Sequence, residues 1–165
     1  MCNFPDTFFR GCPHRNFIKP SAKPFPASPK AFQPNSRAEN QNNQAETSIV
    51  WNDDAESLPF FIRMETHKED DGLIKYGIIP VDFIKAESSI RESAFASRIS
   101  FNHDSDAQNQ NPYHGNICFD LSFFFTIDEE NNRIPDRGLL DEACKHFVNS
   151  QRCFIAPDRF KDFLS

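Results

Sequence analysis

Residues 116–128 constrain the fold more than any other stretch. Ile117, Phe119, Leu121, Phe123, Phe125 and Ile127 are apolar and share one parity, while the other parity carries Cys118, Asp120, Ser122, Phe124, Thr126 and Asp128. Side chains alternate across a strand, so this period of two predicts one long strand with a single buried face, typical of antiparallel sheet. Phe124 breaks the alternation. It is expected on the outer face and, with Phe61, as an exposed ring available to a partner.

Other segments extend that sheet. Phe60, Ile62 and Met64 alternate with Phe61, Arg63 and Glu65, which predicts a strand over 58–66. Asp71-Gly72 marks a hairpin turn, and a return strand is expected over 73–79, ended or placed at an edge by Pro80. A helix over 80–97 precedes a short strand at 98–102, with Ile99 and Phe101 inward. Asp136 is expected to cap a helix over 138–151, whose stripe is Leu139, Leu140, Ala143, Cys144, Phe147 and Val148. Pro157 starts a short last helix. The expected fold is α+β, a small antiparallel sheet of about four strands covered by two or three helices.

The first 46 residues read differently. Seven of the 12 prolines lie between Pro5 and Pro34, and an Asn/Gln-rich run follows. Proline breaks helices and ladders, and the polar run buries too little surface to offset its ordering entropy. Residues 1–46 are therefore expected to form a disordered tail, and 48–165 a single acidic α+β domain. Phe4, Phe8, Phe9, Phe17, Phe25 and Phe32 punctuate the tail as candidate stickers for a partner or for the body.

Charge divides at the same place. Residues 1–38 carry six basic residues and one acid, a net +5; residues 39–165 carry 12 basic and 23 acidic residues, a net −11. An acidic body repels phosphate backbones, so nucleic acid is an unlikely ligand for it, while the basic tail is open to an anionic partner. No apolar run approaches the ~18 residues of a membrane-spanning helix. Five cysteines, an odd number without a CxxC pair, and a start at Met1–Arg10 that lacks an apolar signal core predict free thiols in the reducing cytoplasm. With 5 Gly and no phosphate loop, nucleophile elbow or paired zinc motif, no cofactor or metal is expected.

The loop 103–115 is the densest polar stretch. His103 and His114 stand at its two ends, with Asp104 and Asp106 between them. Two facing imidazoles, one oriented by Asp104 or Asp106, make an acid–base pair suited to phosphodiester cleavage. Glu65 and His67 join them if their element ends on the same side. Asn111 and Tyr113, with Phe61 and Phe124, are candidate binding residues. The same residue types are also ordinary turn formers. Two functions follow. The first is a non-catalytic binding module for a protein partner. The alternative is a small hydrolase, a nuclease-like toxin or defence effector, using His103 and His114. The hydrolase requires the two imidazoles to lie on one face.

Overall fold

The computed structural model describes residues 4–22, 24–34, 43–66, 74–104 and 111–164. Its frame is a five-stranded sheet built from β1 (Thr7–Gly11), β2 (Gln44–Trp51), β3 (Ile78–Asp82), β4 (Ile99–His103) and β5 (His114–Asp120). The strand order is β3-β1-β2-β5-β4, and every pair is antiparallel. Four α-helices are described: α1 (Ser57–Thr66), α2 (Phe83–Arg91), the single turn α3 (Leu121–Phe124) and α4 (Arg137–Val148). A separate hairpin pairs β6 (Phe125–Ile127) with β7 (Arg133–Pro135). The fold is α+β, as expected, with one strand more in its main sheet. Among the described residues no helix is long and apolar enough to cross a membrane.

The N-terminal segment departs most from expectation. The boundary expected between 46 and 48 falls inside β2, and β1 is an interior strand, hydrogen-bonded to β3 and β2. The cause is Phe8-Phe9. Alternation sends Phe8 to one face and Phe9 to the other, so this short strand supplies both cores at once. After Gly11 the proline-rich chain folds into three short 3-10 turns, Arg15–Phe17, Pro20–Ala22 and Pro29–Phe32. Proline fits such turns because its fixed φ suits a first helical position. The segment is held by backbone bonds from Lys19 to Pro26 (2.6 Å) and Ser28 to Phe17 (2.8 Å), and by the buried Ala27, Ala31 and Phe32. Of the six tail rings, Phe25 is exposed (45%), whereas Phe8, Phe9 and Phe32 are interior.

The larger core covers the face that carries Phe8, Ile49, Trp51, Ile117 and Phe119. Helices α2 and α4 close it with Phe83, Ala86 and Ile90, and with Leu140, Ala143, Cys144 and Phe147. Phe147 is its hub, meeting Phe8, Phe32 and Phe101 at centroid distances of 6.1, 5.3 and 6.1 Å. Asp136 caps α4 as expected, its Oδ1 accepting from Leu139 N. The opposite face carries Phe9, Val50 and Ile78 under Phe61 and Ile62 of α1, with Ile155 and Phe160.

Two further expectations are corrected. The segment expected as a strand over 58–66 is α1. Phe61, Ile62 and Glu65 are buried while Arg63 is exposed, a spacing that fits one face of a helix and not a strand, whose adjacent residues face opposite sides. Pro59 sits in the first turn, where its missing N–H has no acceptor to lose. The expected long strand stops at Asp120. The Asp120 carboxylate accepts from Ser122 N (3.0 Å) and Ser122 Oγ (2.7 Å), nucleating α3. Leu121 and Phe124, three apart, then share the buried side, and Ile127 is left 65% exposed. Pro80 lies within β3, an edge strand whose outer side is met by Arg152 N and Ile155 N. The expected Asp71-Gly72 turn lies outside the described residues.

Candidate binding cleft

The residues singled out in the loop 103–115 do not converge. His103 pairs in register with Gly115, so the His114 side chain, one residue away, projects from the opposite face of the sheet. The two imidazoles have separate partners. His103 Nε2 lies 2.6 Å from Asp53 Oδ2, and its ring stacks on Trp51. His114 Nδ1 lies 2.9 Å from the Asp104 carbonyl, so that nitrogen carries the donated proton. Asp106 and His67 lie outside the described residues, and Glu65 is buried in α1. Among the described residues no serine, threonine or cysteine side chain is hydrogen-bonded to either ring, and no cluster of three or more His, Cys, Asp or Glu is placed to hold a metal ion.

The expected binding residues all make contacts within the fold. Asn111 is buried, and its Oδ1 accepts from Tyr113 N (3.0 Å), a side-chain-closed turn. Tyr113 is half-buried, edge-on to Phe60. Desolvation raises its phenol pKa above the ordinary value, and Asp54, which accepts its hydroxyl, adds to the rise. The expectation that Phe61 and Phe124 expose their rings is corrected: both are interior, and Phe124 stacks on Phe95 at 5.8 Å.

The cleft lies elsewhere. β1 keeps register with β3 from Thr7 to Gly11, but it pairs with β2 only at Phe8 and Phe9. Beyond Phe9 the two strands part, and the Arg10 guanidinium fills the wedge. Its Nε donates to the Ala31 carbonyl (2.7 Å) and its Nη1 to the Ser48 carbonyl (3.0 Å). The Thr47 hydroxyl donates to the Phe32 carbonyl (2.9 Å), so β2 and the turn at 29–32 are joined twice over. Above Arg10 opens a space of about 1090 Å³, walled by Pro13, His14 and Phe17 on one side and by the start of α4 on another.

Its electrostatics are set by desolvation. Arg10 has no carboxylate within ion-pair distance among the described residues, and burial pulls its pKa down to about 10, with the neighbouring Cys12 and Cys144 thiols opposing the fall. Burial pushes Cys12 up to about 12, so this thiol stays neutral beside the cation. Lys30 and Arg137 stand at the rim, and Arg137 Nη1 donates to Gln33 Oε1 (3.1 Å). Glu46 and Asp141 also line the space. No protein-family model matches the chain, and no curated protein or solved structure matches it either.

The sequence did carry one signal for this site, the basic charge of the first 38 residues. It could not place that charge, because the wedge exists only where β1 and β2 part.

Proposed function

We propose that the chain is a non-catalytic binding module for a protein partner, engaged through the cleft above Arg10. The observation that carries this reading is the cleft itself: about 1090 Å³, floored by a cation and walled by four separate chain segments. Such concave sites are where ligands and partner side chains are usually received. The hydrolase reading loses support from the register that sends His103 and His114 to opposite faces. The free thiols Cys12, Cys118, Cys144 and Cys153 support a reducing compartment, the cytoplasm.

A photo-crosslinking residue at Gln33, on the cleft wall, tests this in the native host. The expected result is one discrete protein adduct, lost when Lys30→Glu and Arg137→Glu reverse the rim charge. An adduct that ignores those changes, or no discrete adduct, overturns the reading.

A further inference from the structure

Arginine carries five N–H donors and no acceptor. Arg10 spends one on Ala31 and one on Ser48. Among the described residues its Nη2 has no acceptor and no fully buried side-chain nitrogen or oxygen lacks a partner, so Nη2 keeps some exposure beside the cleft that Arg10 lines. An incompletely bonded cation, held by two carbonyls and with no carboxylate within ion-pair distance among the described residues, is a preformed seat for an anion. The planar fork suits a carboxylate, which it receives through paired, charge-assisted bonds.

The remaining charges limit what kind of anion fits. Among the described lining residues, Glu46 and Asp141 stand against Arg10, Lys30 and Arg137, a net of +1 from the acids and the lysine and arginines. A polyphosphate or nucleic-acid strand brings several negative charges to described lining residues that offer a net of only one positive charge, so most of its charge goes unmatched. One carboxylate is matched. Pro13, Phe17 and Pro34 give apolar surface beside the seat for the rest of a peptide. Resting on the binding-module reading, we infer that the cleft recognises a single carboxylate on a peptide segment, seated on the open Nη2 edge of Arg10.

The test is a titration of the full chain, followed by NMR at the Arg10 Nε–H and at backbone amides of 30–33. Three short probes are used: a peptide blocked at both ends with one central glutamate, the same peptide with glutamine, and an uncharged peptide with a free C-terminal carboxylate. The expected result is a saturable shift with the glutamate peptide, and binding at least about tenfold weaker with glutamine. If the third probe binds and the first does not, the carboxylate recognised is a chain terminus. Arg10→Gln removes two structural bonds, so Lys30→Ala with Arg137→Ala, at the exposed rim, is the second variant and weakens binding several-fold. Equal shifts from the glutamate and glutamine peptides, or no saturable shift from any probe at millimolar concentration, overturn the inference. A charge-dependent crosslink at Gln33 with no carboxylate preference leaves the binding module standing and removes only its assigned ligand.

Discussion

The indole of Trp51 crosses β5 at Gly115, and its Nε1 donates to the Asn102 carbonyl on the next strand, 2.8 Å away. A Cβ at residue 115 would stand 2.1 Å from Trp51 Nε1 and 2.5 Å from Asn102 O. Trp51 also stacks on Phe4 and meets Phe8 and Phe83 edge-on, so the ring has no space to retreat into. Gly115→Ala is therefore expected to cost about 2–3 kcal/mol by overpacking. Gly138→Ala, whose nearest contact is 3.5 Å, is expected to be neutral or stabilising by up to about 1 kcal/mol. Urea denaturation midpoints of the two variants check the contrast.

The interior place of β1 makes the first dozen residues essential to folding. Phe8→Ala is expected to cost about 3–5 kcal/mol, the range for emptying a fully buried aromatic site. Deleting residues 1–12 is expected to abolish the cooperative unfolding transition. Slow amide exchange at Phe8 and Phe9 in the intact chain is the direct sign of the strand, and exchange there at the rate of an unstructured peptide would refute it.

Thiol chemistry separates inside from outside. Cys153 is exposed, whereas Cys12, Cys118 and Cys144 are buried. Desolvation raises all three buried thiols, Cys118 up to about 11, with Glu46 adding to its rise. The thiolate is the reactive form, so in a Cys2→Ser background an aromatic disulfide reagent is expected to titrate one thiol quickly near neutral pH. The other three react only once denaturant unfolds the chain.

His146 on α4 gives the fold a pH dependence with a definite sign. Burial lowers its pKa below the ordinary 6.5, Glu142 partly opposing, and its Nδ1 lies 2.6 Å from Ser89 Oγ. As pH falls, the unfolded chain takes up this proton before the folded one does. Stability attributable to His146 is therefore full above the ordinary value and declines as pH drops from there through the lowered folded value. His146→Gln is expected to reduce the difference in denaturation midpoint between about pH 7.5 and about pH 5.5. An unchanged difference would show that other groups carry it.

Local chemistry was legible in the sequence wherever a short-range rule acted alone. Asp136 as a cap, the stripe of α4, Pro157 at the start of a helical turn and the inward Ile99 all follow from neighbours within a few residues. Alternation also predicted Ile117 and Phe119 correctly. It failed where a local competitor intervened: Asp120 turned the chain into α3, and the burial of Phe61, Ile62 and Glu65 together selected helix over strand. What only the tertiary structure decided is long-range pairing. Nothing near Phe8 in the sequence shows that it will stand opposite Trp51 on one side and Val81 on the other. That placement outweighs the proline signal because Phe8 and Phe9 are buried on two faces while the strand that carries them is hydrogen-bonded to a neighbour on either side. The cleft follows from the same event. Arg10 became its floor because β1 leaves β2 after two residues and the turn at 29–32 is bonded to Arg10 and Thr47 there, a pairing written in no local pattern.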